Sequence, residues 1–211
     1  MKPTKALNLY AGIGGNRKLW ENVDVTAVEI DPDIAKIYSH FYPVDTIVIG
    51  DAHEYLLNHY SEFDFIWASP PCQTHSRARF WGWKNDNRVE DKYPDMSLYQ
   101  EIIFLKSYFK GYYVVENVAP YYDVLIEPTN KIGRHLFWSN FNILYVKVDE
   151  NDINRGDRKS YSELLCIDLS KFKIKNRKDQ IYRNAVNPKL GKHILDCAMG
   201  YEIKSEQGSL F

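Results

Sequence analysis

The sequence of 211 residues contains few cysteines and no long apolar run. Its three cysteines, Cys72, Cys166 and Cys197, are odd in number and form no CxxC pair, which argues against a disulfide framework and a zinc knuckle. No apolar stretch reaches the length that a bilayer requires, and the first residues lack a charged leader followed by an apolar core. We therefore expect a cytoplasmic protein without a signal peptide, a membrane segment or a required metal.

The net charge is also small, at −1, and the chain has no internal repeat and no low-complexity tract. Its basic residues are nevertheless unevenly placed. One cluster combines Arg77, Arg79, Lys84 and Arg88 with Phe80, Trp81 and Trp83, and a second runs from Lys171 to Arg183 and includes Lys173 and Lys175. Such patches can bind phosphates on a protein that is neutral overall, although a solvated loop and a solvated strand face would look the same.

Ordinary fractions of hydrophobic (45%) and charged (26%) residues indicate one globular domain, with or without a small appendage. Up to residue 125, short apolar runs alternate with amphipathic segments, a pattern that predicts a doubly wound, mostly parallel α/β sheet. The predicted strands are 6–10, 25–30, 46–49, 63–68 and 112–115, and the predicted helices are 16–22, 32–41, 51–60 and 97–109. Further along, the pattern predicts strands over 141–148 and 171–175, a loop over 149–160 and a helix over 188–199.

Glycine and polar residues gather where the predicted strands end, which is where ligands lie in sheets of this kind. The first strand runs into Tyr10-Ala11-Gly12-Ile13-Gly14-Gly15, whose glycines allow a tight turn and a close approach of the backbone to a ligand. Glu29 ends the second strand and could bind a ribose diol, and Asp51 follows the third and could accept from an adenine amino group. A glycine turn alone is common without a ligand, but the combination predicts a nucleoside cofactor.

Two further strand ends carry reactive side chains. In Ser69-Pro70-Pro71-Cys72-Gln73 the paired prolines fix the backbone and could hold a nucleophilic thiol in place. In Val115-Glu116-Asn117-Val118, Glu116 could donate to a ring nitrogen. Taken singly, Cys72 is more simply interpreted as an inert buried cysteine, and Glu116 as part of a structural turn. Cys166 and Cys197 are both interpreted as inert buried cysteines.

Together and in this order, these segments resemble the DNA cytosine-5 methyltransferase family. The glycine turn with Glu29 looks like its first two cofactor motifs, and Gly50-Asp51 looks like its third. Residues 64–76 (DFIWASPPCQTHS) look like the catalytic proline–cysteine motif, and 115–118 (VENV) look like the glutamate motif. Residues 180–194 (QIYRNAVNPKLGKHI) resemble the C-terminal motif, which in the family folds back beside the glycine turn. The resemblance implies a Rossmann-like, S-adenosylmethionine-dependent methyltransferase fold with a small recognition appendage.

The resemblance also implies a division of the chain. A catalytic and cofactor-binding domain would span residues 1–140, a reduced target-recognition region would span 141–180, and a segment over 181–211 would return to the catalytic domain. With so short a recognition region, a protein partner could supply target specificity.

The sequence departs from the family pattern at three places. His75 stands where the family usually has an apolar or aromatic residue, and Arg183 stands where a glycine usually precedes the asparagine. Residues 131–136 replace an Arg-x-Arg pattern, and only Arg134 is basic in a similar register, with His135 beside it. Which of these two side chains approaches the base is therefore open.

Transferred residue by residue, the family's roles imply three groups of site residues. The catalytic residues would be Cys72, Glu116 and Arg134. The residues that bind S-adenosylmethionine would be Tyr10, Ala11, Gly12, Ile13, Gly14, Gly15, Glu29, Ile30, Asp51, Ala52, Pro71, Asn184 and Ala185. The residues that contact nucleic acid would be Gln73, Ser76, Arg77, Arg79, Lys84, Lys173 and Lys175.

The implied reaction transfers a methyl group from S-adenosylmethionine to carbon 5 of a cytosine flipped out of double-stranded DNA, through a covalent adduct with Cys72. Three other functions are considered. Methylation of cytosine in RNA fits the short recognition region. Methylation of an amino group is disfavoured, because the enzymes that do so carry an aromatic residue where this chain has Cys72. A catalytically silent nucleic-acid-binding relative is disfavoured because both Cys72 and Glu116 are intact.

Overall fold

A computed structural model of the chain describes residues 2–76, 93–146, 158–174 and 177–201. The strands are β1 (Thr4–Leu9), β2 (Val23–Glu29), β3 (Thr46–Ile49), β4 (Phe65–Ala68), β5 (Tyr112–Val118), β6 (Asn130–Ile132) and β7 (His135–Ser139). They form a seven-stranded sheet in the order β3-β2-β1-β4-β5-β7-β6. Strands β1 to β5 are mutually parallel, whereas β7 runs antiparallel to both β5 and β6.

The central strands are apolar because helices cover both faces of the sheet. All four residues of β4 are buried, and so are the last four residues of β1. Strands that are buried on both faces appear in a sequence as continuous apolar runs rather than as an alternation. The Rossmann-like α/β fold with a mostly parallel sheet, predicted from the sequence, is confirmed.

The helices begin where the sequence supplies caps. They are α1 (Pro32–Phe41), α2 (Ala52–His59), α3 (Ser97–Tyr108), α4 (Arg158–Leu165), α5 (Lys178–Asn184) and α6 (Pro188–Met199), with a 3₁₀ turn over Tyr60–Glu62. Asp31, Asp51 and Asn187 precede α1, α2 and α6, and each side chain accepts a first-turn N–H at 2.8 Å. A proline opens α1 and α6, and α6 ends at Gly200 with φ of 68°. Within the described ranges, none of these helices is long and apolar enough to cross a membrane.

The predicted helix over 16–22 is wrong, since this segment forms turns. Arg17 directs its side chain inward, where Nε lies 2.8 Å from the buried carboxylate of Asp45 and Nη1 donates to the Trp20 carbonyl at 2.9 Å. These bonds connect the segment to Asp45 and close its own turn at Trp20.

The last third of the chain also differs from the sequence-based expectation. The described parts of two predicted strands, 141–146 and 171–174, contain no strand, and 158–160 belong to α4 rather than to a loop. The alternation in 171–174 instead directs Phe172 and Ile174 toward a buried cluster. That cluster joins residues of α4 and the following turn to α1 and to the turn after β1, so the segment 158–174 packs on the half of the sheet formed by β1 to β3.

Candidate active site

The turn after β1 bends through three left-handed backbone positions. Tyr10, Gly12 and Gly14 have φ angles of 57°, 54° and 76°. Such a φ is unfavourable for tyrosine, and a 2.6 Å hydrogen bond from its hydroxyl to the buried carboxylate of Glu101 helps to hold it. At Gly14 an added Cβ would lie 2.4 Å from the ring of Tyr42, so a side chain cannot be accommodated there.

Glu29 fixes this turn to the end of β2. Its Oε2 accepts from the Gly12 N–H and its Oε1 accepts from the Asp31 N–H, both at 2.9 Å. Burial raises the pKa of Glu29, and the backbone hydrogen bonds oppose that rise. Each carboxylate oxygen keeps a second acceptor position, so the group can also receive hydrogen bonds from a ligand.

The surroundings of Glu29 fit a nucleoside. An added Cβ at Gly12 or Gly50 would meet nothing within 4 Å, so open space borders both turns. Ile30 is 68% exposed, which leaves an apolar surface beside Glu29 that a flat ring can cover. Asp51 is exposed at the start of α2, with the buried Ala52 next to it, and its carboxylate can accept from an amino group. An apolar face between two carboxylates matches the chemistry of an adenine with a ribose diol.

The C-terminal segment lies directly against the glycine turn. An added Cβ at Gly15 would be 2.4 Å from the Val186 carbonyl oxygen and 2.9 Å from Cβ of Ala185. Asn184 precedes them at the end of α5, with an exposed side chain. Ala11 and Ile13 are buried within the turn itself.

Hydrogen bonds tie the Cys72 loop to its neighbouring strands. The Ser69 N–H donates to the last carbonyl of β1 at 3.3 Å, and the side-chain amide of Asn117 donates to the Pro70 carbonyl at 3.0 Å. The Cys72 carbonyl accepts from the N–H groups three and four residues later, at 3.1 and 3.0 Å. Pro71 is exposed, and Cys72 is half-buried.

The Cys72 thiol is protonated at neutral pH in this state. Burial raises its pKa, the carboxylate of Glu116 raises it further, and Arg134 opposes both effects. The thiol must therefore lose a proton before it can act as a nucleophile.

Glu116 is buried in β5 and has hydrogen-bond partners on both oxygens. Ser69 Oγ donates to Oε2 at 2.8 Å and accepts from the Trp67 indole N–H, also at 2.8 Å. His135 Nδ1 lies 2.5 Å from Oε1. Burial alone would raise the pKa of Glu116, but His135, Ser69 and Arg134 outweigh it and hold the pKa below its ordinary value. Glu116 is therefore a carboxylate at neutral pH.

The register of β5 and β7 explains why a histidine reaches Glu116. Val118 pairs with His135, so Glu116, two residues earlier in β5, is a diagonal neighbour of His135 on the same face. Arg134 lies one position before the strand. Its Nε donates to His135 Nε2 and its Nη2 donates to the Arg183 carbonyl, both at 3.2 Å. Arg134 is thus linked to Glu116 through His135.

The predicted nucleic-acid contacts fall in two regions. Gln73 is exposed and Ser76 is half-buried in the loop after Cys72. Lys173 lies instead near α1, where it borders a cavity of about 310 Å³ together with Lys36. Helix α1 packs on β2 and β3, and β1 lies between β2 and β4. This cavity is therefore at least two strand spacings, roughly 10 Å, from β4 and its loop. Arg77, Arg79, Lys84 and Lys175 lie outside the described residues.

Sequence reasoning gave no role to Ser69 and Asn117, and it left open whether Arg134 or His135 approaches the base. Ser69 and Asn117 stand inside recognised motifs, and the signal that could have identified them is the parallel pairing of β4 with β5. Ala68 pairs with Val115, which puts the residues that follow each of them side by side. His135 needs the antiparallel register of β7 in addition. Among the described residues, no group of three or more His, Cys, Asp or Glu side chains is placed to hold a metal ion.

Several known proteins are similar to this chain. Among solved structures, the chain is similar to the Entamoeba histolytica methyltransferase EhMeth, with 12% identity over 95% of this chain and 99% of that chain and a TM-score of 0.49. It is also similar to a triple mutant of Spodoptera frugiperda DNMT2, with 27% identity over 55% of this chain and 35% of that chain and a TM-score of 0.36. A SAM-dependent methyltransferase from Archaeoglobus fulgidus shares 20% identity over 55% of this chain and 45% of that chain, with a TM-score of 0.37.

The matched part of this chain spans less than half the length of the last two proteins. A search of curated proteins found no match. The sequence profile of the C-5 cytosine-specific DNA methylases matches residues 4–123, which is more than half of the chain and contains the glycine turn, Cys72 and Glu116. The chain therefore belongs to the C-5 cytosine-specific DNA methylase family.

Proposed function

We propose that the protein methylates carbon 5 of cytosine in double-stranded DNA, with Cys72 as the nucleophile and Glu116 as the residue that holds the pyrimidine ring. The observation that carries this proposal is the coupling of the two side chains. Asn117 binds the Pro70 carbonyl in the Cys72 loop, and Ser69 in the same loop binds the Glu116 carboxylate. Nucleophile and carboxylate are therefore held in one rigid unit at the ends of β4 and β5.

The proposed cofactor is S-adenosylmethionine, in the open space beside the glycine turn. Glu29 would accept from the ribose hydroxyls, Asp51 would accept from the adenine amino group, and Ile30 would cover one face of the ring. The flanking residues of this proposed pocket are Tyr10, Ala11, Gly12, Ile13, Gly14, Gly15, Ala52, Pro71, Asn184 and Ala185. When bound there, the cofactor supplies the electrophilic methyl group that carbon 5 accepts.

The chain's own residues make carbon 5 reactive. The Cys72 thiolate adds to carbon 6, and the electron pair of the 5,6 double bond moves into the ring. Glu116 takes up a proton from solvent as the base enters, donates it to ring nitrogen 3 where the negative charge develops, and takes it back when Cys72 leaves. Once carbon 5 carries the methyl group, it loses its hydrogen to a base, the double bond forms again and Cys72 leaves.

A stacked base is out of reach of Cys72, so the target cytosine must be flipped into the pocket. The proposed DNA contacts in the sequence segment that follows Cys72 are Gln73, Ser76, Arg77, Arg79 and Lys84, and those from the proposed recognition region, 141–180, are Lys173 and Lys175. Basic and polar side chains bind the phosphates and fix the register of the protein on the duplex. The proposed catalytic domain spans 1–140, and 181–211 completes it.

The experiment is methyl transfer from labelled S-adenosylmethionine to unmethylated duplex DNA, with wild type beside Cys72→Ser and with base-resolution mapping. Label at carbon 5 of cytosine that disappears in Cys72→Ser supports the proposal. Label on folded RNA but not on the duplex would contradict the DNA substrate, and label on neither, despite cofactor binding, would contradict the enzymatic function.

A further inference from the structure

A buried carboxylate in α3 joins the glycine turn to the start of α2. Glu101 is 0% exposed, and its Oε1 accepts from the Tyr10 hydroxyl at 2.6 Å. The ring of His53, the second residue of α2, lies against the same group, with Nδ1 at 3.2 Å from both carboxylate oxygens. Glu101 is thus closed to water, and two segments that are far apart in the sequence are attached to it.

Both partners of Glu101 belong to the segments that border the proposed cofactor pocket. Tyr10 opens the glycine turn with a left-handed φ of 57°, and His53 follows Asp51 by two residues. The Asp51 carboxylate accepts from the Glu54 N–H at 2.8 Å and so caps the first turn of α2. His53 lies in that same turn, so its contact with Glu101 also holds Asp51 in place.

Electrostatic effects show that these groups are close together. Burial raises the pKa of Glu101, the hydrogen bonds from Tyr10 and His53 oppose that rise, and the negative charge of Asp51 adds to it. Burial also raises the pKa of Tyr10, and the charges of Glu101 and Asp51 raise it further. Tyr10, Asp51 and Glu101 therefore form one cluster at the ends of β1 and β3.

We propose that Glu101 is a positioning residue for the nucleoside of the cofactor: through Tyr10 and His53 it fixes the glycine turn relative to Asp51, and it thereby sets a preference for adenine. This inference rests on the proposed function, in which Asp51 accepts from the adenine amino group. Glu101 itself is buried behind these residues and does not touch the ligand.

The sheet alone does not hold the two sides of the pocket together. Because β2 lies between β1 and β3, the ends of these strands are two strand spacings apart, roughly 10 Å. A hydrogen bond weakens steeply when its angle or length departs from the preferred geometry, so an acceptor can recognise an amino group only if it is held in place. Glu101 supplies this restraint from α3, with one hydrogen bond to each side.

The test compares, by calorimetry, the binding of S-adenosylhomocysteine, the product of methyl transfer, and of S-inosylhomocysteine, which has an oxygen in place of the amino group. Wild type should bind the adenine compound ~10- to 100-fold more tightly, because the inosine oxygen cannot donate to Asp51. Glu101→Leu should reduce this ratio to about threefold or less, since Asp51 is no longer held in place. Glu101→Gln keeps an acceptor for Tyr10, so its ratio should be intermediate, and it supplies the ratio if Glu101→Leu does not bind.

Two further variants separate positioning from stability. Tyr10→Phe/Glu101→Leu replaces both partners of the buried bond by apolar groups, so it should melt at a higher temperature than Glu101→Leu and still lack the adenine preference. Glu62→Leu is the matched control, because Glu62 is exposed and lies 2.7 Å from His59 Nδ1 at the other end of α2. It should keep the wild-type ratio.

A wild-type ratio in Glu101→Leu and Glu101→Gln would overturn the inference and leave the proposed function intact. So would a ratio that recovers together with the melting temperature in the double variant, since Glu101 would then act on stability alone. Equal binding of the two compounds by wild type would also overturn it, because no preference would exist. Binding of neither compound by wild type would instead remove the proposed cofactor, and the inference with it.

Discussion

Ser69→Ala should destabilise the protein by ~2 to 4 kcal/mol at pH 7, although it removes a single oxygen atom. The Ser69 hydroxyl accepts from Trp67 and donates to Glu116, both at 2.8 Å. A hydrogen bond to a buried carboxylate contributes about 1.5 to 3 kcal/mol, and a buried indole N–H without a partner costs about 1 to 3 kcal/mol. The two contributions to the free energy of unfolding are not fully additive, because the same hydroxyl forms both hydrogen bonds. For a chain of this size the melting temperature should fall by roughly 5 to 15 °C.

Urea denaturation from pH 3.5 to 8 measures both the size and the sign of this effect. The pKa of Glu116 lies below its ordinary value because of His135, Ser69 and Arg134, so the carboxylate contributes stability above its unfolded pKa, about 4.3. That contribution disappears as the pH falls through the folded value. The difference between wild type and Ser69→Ala should therefore be constant above about pH 5 and shrink below about pH 4.

Ser139→Ala is the matched control, because this buried hydroxyl donates to a neutral carbonyl, that of Phe141, at 2.8 Å. Ser139→Ala should lower the free energy of unfolding by only about 1 kcal/mol, and this decrease should not depend on pH. A decrease in the free energy of unfolding below about 0.5 kcal/mol for Ser69→Ala at pH 7, or a pH profile like that of the control, would contradict this role of Ser69.

Two further predictions concern the turn after β1 and its ion pair. Gly15→Ala should lower the melting temperature and weaken S-adenosylmethionine binding in calorimetry, because its Cβ would lie 2.4 Å from a backbone oxygen of the C-terminal segment. Gly50→Ala is the control, because nothing lies within 4 Å of its added Cβ, and it should leave the melting temperature unchanged. Equal decreases in melting temperature for the two variants would contradict the role of close packing at Gly15. Arg17→Met should cost ~3 to 5 kcal/mol in urea denaturation, because the buried Asp45 carboxylate loses its cation. Arg177→Met removes an arginine that is 80% exposed and should cost at most about 1 kcal/mol, so similar values for both variants would contradict this prediction.

The elements that the sequence predicts well are those with a local physical cause. The four apolar residues of β4 follow from burial on both faces, and α1 and α6 follow from an Asp or Asn cap and a proline in the first turn. The segments 16–22 and 171–174 have helical and strand-like patterns, yet tertiary contacts decide their paths. Arg17 pairs with a carboxylate 28 residues away, and the segment 171–174 packs on α1 instead of on another strand.

The residues of the candidate site likewise include some that the sequence predicts and one that it does not. Cys72 and Glu116 could be predicted because each stands at the end of an apolar strand, in a motif that is contiguous in sequence. His135 could not be assigned to Glu116 from sequence, because the choice between it and Arg134 depends on the antiparallel register of β5 and β7. A shift of one residue in that register would exchange the two side chains, and sequence spacing alone does not determine it.

Contacts between distant parts of the chain determine when the candidate site can first be complete. Gly15 packs on Val186, Asn16 packs on Gly191, and the Thr4 hydroxyl lies 3.5 Å from the sulfur of Met199. A ribosome adds roughly 5 to 20 residues per second, so the turn after β1 waits roughly 10 to 35 s for the segment that covers it. Pairing over such separations is slow to form. A nascent chain that already displays Cys72 and Glu116 still has an uncovered glycine turn, so the candidate site is complete only after residues 185–199 have been synthesised.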